Sequence, residues 1–240
     1  MVGLNTELGS ITVKDVTADE ILLTSRSGDI DMDGIIDGDT INAETDGDGD
    51  VVITGKGIFG DNLTVSTQYG DIFVDAECRN DSVNLTTDEG SIQAQKMFNK
   101  SCSLNILEKG DVSAKVNVGQ LDVAVRRGTV DLFVETITTD STVLLTSGKV
   151  NLTIPLKSCF KVWLSAPMTN IAPQLQNSGE LILSRDNGNE EFSTANTAKN
   201  GQKVPILRVC VDQGSIQVNV AEKDEDRAVR LGFDSATETS

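Results

Sequence analysis

Acidic residues are the first candidates for chemistry in this sequence, and they are densest between residues 29 and 50. Asp29, Asp31, Asp33 and Gly34 match the opening positions of an EF-hand calcium loop, but Thr40 stands where a bidentate Glu would bind the ion. The intervening apolar residues alternate with the acids, as in a strand whose carboxylates face water. We therefore expect no calcium site here.

The neighbouring acids Asp46, Asp48 and Asp50 are interpreted in the same way, as residues of a turn. The tandem GGxGxD nonapeptides that bind calcium in secreted solenoids do not occur. The acidic run therefore predicts a solvated surface and no metal ligands.

Histidine is absent, which removes the commonest general base, the Ser-His-Asp and Cys-His pairs and most zinc sites. Paired carboxylates for glycoside cleavage stay open, but such sites add Arg, Lys or aromatic side chains that hold the sugar. Arg126-Arg127, the only basic pair on a predicted coil, is interpreted as a solvated corner, and Phe160 and Trp163 as packing a cap. The sequence thus nominates no catalytic, cofactor-binding or metal-ligating residue.

The four cysteines, Cys78, Cys102, Cys159 and Cys210, are separated by 24, 57 and 51 residues and form no CxxC motif. This spacing indicates neither a thioredoxin-like site nor a zinc ribbon. A chain of this length without an export signal is poorly matched to a disulfide framework, so we expect buried free thiols. An intracellular site is weakly favoured, and the compartment stays open.

Asn-x-Ser/Thr sequons begin at Asn62, Asn80, Asn84, Asn99 and Asn151. Glycosylation requires secretion, for which the sequence shows no signal. Three of the sequons lie inside a strand pattern, where outward Asn and Thr side chains suit a polar ladder. We interpret these three as strand residues and expect no glycosylation.

Charge and hydropathy exclude several partners. The 240 residues carry 20 Lys and Arg against 37 Asp and Glu, a net charge of −17. Phosphate backbones and anionic lipid repel such a chain, so we expect no nucleic-acid or membrane-surface binding. Consecutive apolar side chains never exceed three, which predicts no transmembrane span and no signal-peptide core.

A glycine followed by a polar and then a β-branched residue recurs every 18 to 21 positions, at Gly9, Gly28, Gly49, Gly70, Gly90, Gly110, Gly128 and Gly148. Apolar residues two apart flank each glycine, as in Ile21/Leu23 and Ile30/Met32, and this is the period of a half-buried strand. Leu104/Ile106 and Val143/Leu145 are assigned to the same place in later repeats. Each repeat therefore predicts two short strands joined by a glycine corner.

At that corner we expect the glycine to adopt positive φ and its polar neighbour to bond local backbone. A third apolar stretch, found at Ile35-Ile36, Ile58-Phe59, Met97-Phe98 and Ile137, supplies a further wall. Such a unit buries its apolar face only by stacking on its neighbours. The sequence predicts an all-β, single-stranded parallel β-helix (β-solenoid) with coils of about 20 residues. The helical half of a leucine-rich repeat and the blade length of a propeller are both missing.

The regular coils are predicted over residues 1–154, and residues 155–220 are predicted as irregular final coils and a cap of the same domain. Gly179 and Gly214 are the next candidate corners. Residues 221–240 are polar, and we expect a disordered tail. Only eight residues precede the first corner, so either another element covers that end or the chain is a piece of a longer protein, which we favour.

The stretches TSRSGDIDM, TQYGDIFV, TDEGSIQA, EKGDVSA and RRGTVDL resemble the adhesin-like domain family, β-solenoids of unassigned biochemical role. The resemblance spans about residues 9–220, and the cysteines and the inserts after residue 155 resemble animal-type members. It implies a parallel β-solenoid and no known catalytic residues.

We predict a non-enzymatic, acidic β-solenoid that serves as a scaffold or protein-binding, adhesin-like module. Two alternatives stay open: a carbohydrate-binding or carbohydrate-cleaving β-helix, and a structural protein that self-assembles end to end. The expected partner is an unidentified protein, with self-association through the solenoid ends as the alternative, and no cofactor is expected.

Overall fold

The computed structural model describes residues 1–155, 158–176, 184–186, 189–193 and 204–221. These residues form strands and a single short helix, α1 (Pro173–Gln176). The strands are β1 (Val2–Thr6), β2 (Ile11–Thr17), β3 (Glu20–Ser25), β4 (Ile30–Asp37), β5 (Thr40–Thr45), β6 (Val51–Ile53), β7 (Gly57–Thr67), β8 (Ile72–Val74), β9 (Cys78–Glu89), β10 (Ile92–Met97), β11 (Ser101–Lys109), β12 (Val112–Asn117), β13 (Gln120–Thr136), β14 (Ser141–Ile154), β15 (Lys161–Ser165), β16 (Met168–Ile171), β17 (Ser184–Asp186), β18 (Asn189–Ser193) and β19 (Ile206–Val220).

Each of the strands β1 to β14 pairs in parallel with a strand one coil away, which makes an all-β parallel β-solenoid of about eight turns with coils of ~20 residues. This confirms the predicted fold. Wall A contains the strand segments before each corner glycine, and wall B contains those after it. In wall A, Ile21 pairs with Ile41 in the next coil, and Ile41 pairs with Leu63 in the coil after that. The inward residues therefore form continuous apolar ladders along the axis.

Wall C is the third side of the coil, and it is built from the predicted third apolar stretch. Its ladder runs through Val16, Ile36, Ile58, Cys78, Met97, Val116 and Val134. All members except Val16 are fully buried, so the three walls enclose one apolar core.

The register differs from the predicted alignment in two coils. Cys102 and Leu104, and not Leu104 and Ile106, lie opposite Val83 and Leu85. The structure likewise places Val143 opposite Val123, and Ser141 opposite Leu121. The alternation continues for three inward positions in these coils, so periodicity alone does not say which two belong to the common ladder.

The glycine column is explained by close packing between coils more than by positive φ. Gly49, Gly70 and Gly110 do not adopt the left-handed backbone conformation that the sequence predicts for them. A Cβ on Gly28 would lie 2.5 Å from the carbonyl oxygen of Gly9, and each later corner glycine meets the corner glycine of the preceding coil in the same way. Glycine is required because consecutive corners stack backbone on backbone.

The carboxyl-terminal strand is inserted between earlier elements. β19 pairs in parallel with β14 along its whole length, and Gly214 lies directly on Gly148. On its other side β19 pairs with β15 and β16, and β15 also pairs antiparallel with β18. β19 therefore lies between β14 and the coil of residues 161–171, although β19 follows that coil in sequence. The predicted corner at Gly179 and the tail after Ala221 lie outside the described residues.

Candidate functional site

The acids of the EF-hand-like stretch join neighbouring coils. Asp29 accepts a hydrogen bond from the backbone N–H of Asp50 at 3.0 Å. The Lys14 ammonium lies 3.1 Å from Asp33, and the hydrogen bond it donates lowers the pKa of that carboxyl below its ordinary value. Within the described ranges, no group of three or more His, Cys, Asp or Glu side chains has a metal-binding arrangement.

Where the residue after a corner glycine is Asp, its carboxylate bonds across coils, which corrects the predicted local bond. Asp50 accepts from the N–H of Asp71 at 2.8 Å, and Asp71 accepts from the N–H of Ser91 at 2.7 Å. Asp111 does the same for Thr129 at 2.6 Å. A carboxylate that accepts a backbone N–H from the next coil fixes the spacing of the corners.

Buried hydroxyls line the inner side of the same corner, and their hydrogen bonds were not predicted from the sequence. Thr45 donates to the carbonyl of Gly49 at 2.8 Å, and Thr67 donates to the carbonyl of Gly70 at 2.6 Å. Their signal in the sequence is a Ser or Thr three or four residues before the corner glycine. These hydroxyls satisfy carbonyls that would otherwise be buried without a donor.

The basic pair Arg126-Arg127 lies at the surface in ion pairs, and the two aromatic residues Phe160 and Trp163 are buried or half-buried. Arg126 is exposed and bonds Glu108 at 2.6 Å, and Arg127 lies 3.9 Å from the other oxygen of that carboxylate. Phe160 is fully buried, and Trp163 lies half-buried on β15.

All four cysteines are free thiols, but only Cys78 and Cys102 are buried as predicted. Cys159 is exposed and Cys210 is half-buried. Burial raises the pKa of Cys78 to about 12 and raises that of Cys102 further. These two thiols are inert packing residues.

The sequon asparagines do not share one environment. Asn62 is exposed on wall A opposite Ser82, and Asn84 is half-buried on the next coil opposite Thr64. Asn80 and Asn99 are buried instead, because they occupy the corner between walls C and A. Asn62 and Asn84 thus have the outward position expected inside the strand pattern, whereas Asn80 and Asn99 lie at a corner outside that pattern.

One face of wall A is almost free of charge. We define the polar face as three successive outward positions from the wall-A segment of each of β5, β7, β9 and β11, twelve in all, which alternate with buried residues. They are Thr40, Asn42, Glu44, Asn62, Thr64, Ser66, Ser82, Asn84, Thr86, Ser101, Ser103 and Asn105. Only Glu44 carries a charge, although 24% of the chain is charged.

Side-chain hydrogen bonds tie the polar face together. Asn105 donates to Ser103 at 2.9 Å, and Ser101 donates to Ser82 on the neighbouring coil at 3.3 Å. Short side chains held this way lose little rotamer freedom on contact with another surface. The face is thus a flat and ordered array of donors and acceptors.

Acids flank the polar face on both long sides. Asp39, Asp61 and Asp81 immediately precede the first polar-face residues of β5, β7 and β9 and stack in one column, and Asp81 pairs with Lys100, which holds the same place before Ser101. Asp46 and Asp48 follow β5, and Asp88 and Glu89 end β9. A neutral centre between two acidic rims can bind a surface of the complementary pattern.

Among the helices that the structure describes, none is long and apolar enough to cross a membrane. No curated protein matches the chain, and no solved structure matches it. A family model does: Toastrack DUF4097 matches residues 36–219, which include the polar face and the corner glycines from Gly49 to Gly214. Because that match covers more than half of the sequence, this β-solenoid belongs to the Toastrack DUF4097 family, a domain family of unknown function.

Proposed function

We propose that this protein is a non-enzymatic scaffold whose polar face binds a protein partner. The observation that carries the proposal is the polar face itself, with eleven uncharged polar side chains in its twelve positions on a chain of net charge −17. Hydroxyls and amides are less costly to desolvate than charges, so a protein surface can bury this array and exchange hydrogen bonds with it.

The acidic rims indicate the chemistry of the partner. A partner with a neutral polar centre and Lys or Arg at its edges would complement Asp39 and Asp61 on one side and the acids after β5 and β9 on the other. Such rim charges steer association and are screened by salt. The same charge supports the expectation that nucleic acid and anionic membrane surfaces are not partners.

The resemblance to adhesin-like, animal-type domains is part of this proposal, because adhesion is one form of protein binding. In it, the regular coils of residues 1–154 carry the polar face, and residues 155–220 form the final coils and cap. The family is a domain of unknown function whose description names no enzymatic activity, and this is consistent with a binding role.

The test is affinity capture with matched variants. Thr64 lies at the centre of the polar face, and Gln93 lies at an outward mid-strand position on wall B. We expect proteins retained by the wild-type chain to be lost with Thr64→Lys, to remain with Gln93→Lys, to be basic, and to elute as salt is raised.

Equal retention by both variants would place binding elsewhere and refute the role of the polar face. Capture of glycan in place of protein would favour the carbohydrate alternative. Light scattering on the purified chain tests the alternative of end-to-end self-assembly, because such assembly increases the mass with concentration.

A further inference from the structure

A surface cleft lies at the corner where wall C turns into wall A, beside the polar face. Its volume is about 450 Å³, and it crosses successive coils. Three coils contribute Arg79–Asp81, Phe98–Lys100 and Asn117–Gly119, and Thr138 completes the lining. The cleft does not contain any residue of the polar face, so it is a separate candidate for ligand binding.

Two buried amides line this cleft. Asn80 is 2% exposed and Asn99 is 6% exposed. Asn99 donates to the backbone carbonyl of Asn80 at 2.8 Å, and the Cys78 thiol lies 3.4 Å from the side-chain oxygen of Asn80. The donor Asn80 Nδ2 and the acceptor Asn99 Oδ1 have no partner. A buried polar atom without a partner destabilises the folded protein.

The corner itself does not require an amide at either position. Gly60 lies opposite Asn80 in the preceding coil, and Val118 occupies the position of Asn99 in the following coil. The chain therefore forms this corner with glycine on one side and an aliphatic residue on the other. The two asparagines add an unused donor and an unused acceptor between them.

The rim of the cleft supplies an aromatic surface and a charged pair. The Phe98 side chain is 41% exposed, and the Arg79 guanidinium lies 5.4 Å from the centre of its ring. On the other side, the Lys100 ammonium lies 2.5 Å from the Asp81 carboxylate. An exposed ring presents an apolar surface, and an ion pair offers both donors and acceptors.

We propose that this cleft binds a neutral saccharide, with one hydroxyl between Asn80 Nδ2 and Asn99 Oδ1 and the sugar's C–H face on the Phe98 ring. A hydroxyl donates and accepts through one atom, which is what the two unpartnered amide atoms require. The final torsion of Asn is soft, so the Asn80 amide can turn toward the cleft when a ligand enters, and Asn99 can follow by exchanging the bond that it donates to the Asn80 carbonyl for one to the ligand. A carboxylate or phosphate fits less well, because Asn99 Oδ1 would face another acceptor.

The proposal goes beyond the protein-binding role of the polar face and can fail independently of it. The probes are neutral methyl glycosides and disaccharides, added to the ¹⁵N-labelled full chain at millimolar concentration. The readout is the side-chain NH₂ signals of Asn80 and Asn99 in NMR spectra. We expect these signals to shift with at least one sugar and to saturate.

The variants take their residues from the chain's own corners. Asn99→Val copies the following coil and Asn80→Gly copies the preceding coil, so both are expected to fold. We expect each of them, and Phe98→Ala, to weaken sugar binding about tenfold or more, as the loss of a hydrogen bond or a ring contact predicts. Phe133→Ala is the control, since that ring contacts Lys115 at 5.0 Å outside the cleft and should leave the affinity unchanged.

Three results would overturn the proposal. The first is a wild-type chain that binds none of the sugars. The second is an affinity that Asn99→Val leaves unchanged. The third is a preference for short amide-rich peptides over every sugar, which would assign the amide pair to peptide recognition.

Discussion

The corner glycines are where single atoms decide whether the coils can stack. An added Cβ on Gly110 would clash with the carbonyl oxygen of Gly90, and backbone on both sides cannot move aside. Gly110 does not adopt positive φ, so a substitution there tests the steric clash between coils without any added strain from the backbone conformation. This position therefore separates the two explanations for the glycine repeat.

We expect Gly110→Ala to lower the free energy of unfolding by about 3 kcal/mol, in the range of overpacked cores. The matched control is Gly3→Ala, whose new methyl would meet its nearest neighbour, Met1 Cε, at an ordinary 3.6 Å. Urea unfolding of both variants measures the difference. Equal midpoints would show that the coils can separate to admit a methyl group.

The buried thiol of Cys78 makes stability depend on pH. Burial raises its pKa from 9.0 to about 12, so the folded protein holds the thiol proton more tightly than the unfolded chain does. The stabilisation is complete below pH 9 and is lost as the pH rises toward about 12, by about 1.4 kcal/mol per pH unit. We expect Cys78→Ala to reduce this slope by that amount in urea unfolding between these pH values. Val74→Ala, which truncates a fully buried side chain that carries no proton to lose, should leave the slope intact.

Side-chain roles at corners were harder to predict than those within strands. Polar residues that alternate with apolar ones face outward, and this rule places Thr64 and Asn84 correctly. The rule gives no answer where the chain turns, so the burial of Asn80 and Asn99 was missed. Aligning the corner column through Gly60 and Val118 would have revealed it, because those positions carry residues without polar side chains.

At the scale of the strand, inward and outward positions predict opposite effects of the same substitution. Ile72 in β8 is fully buried between Val51 and Ile92 on the adjoining coils. Ile72→Asp places an unpaired carboxylate in this ladder, and we expect it to abolish cooperative folding. Thr64→Asp in β7 faces solvent and should change the free energy of unfolding by less than about 0.5 kcal/mol. Circular dichroism during thermal unfolding checks both, and similar losses would contradict the assigned register.

The order of the coils could be predicted only where the repeat is local. Successive coils up to β14 pair across about 20 residues, which the glycine spacing shows directly. β19 pairs with β14 across a gap of 66 residues, as Ser141 and Leu207 show. The Gly214-Ser215-Ile216 repeat in β19 indicates that this segment forms a coil, but it does not indicate which strands lie beside it. Any parallel strand with the same alternation of apolar and polar residues could pair with it.

At the scale of the molecule, the solenoid has an amino-terminal edge whose composition opposes pairing with another copy. Among the residues that the structure describes, β1 and β2 pair on one side only, with β3 and β4. Lys14 and Asp15 lie in β2, where the register shifts and Asp15 adopts a φ of 49°. Charge and irregularity are the usual protection of an edge strand, and the net charge of −17 adds repulsion between copies.

We therefore expect light scattering to give a constant mass of 25.6 kDa across concentrations. In hydrogen exchange, amides of β1 and β2 should exchange faster than those of β9 to β12, which pair on both sides, because exchange follows local opening. The difference should not depend on concentration, since no second copy covers the edge. If the mass grows and the protection of residues 2–17 rises with it, the edge is an assembly surface and the end-to-end alternative replaces the monomeric scaffold.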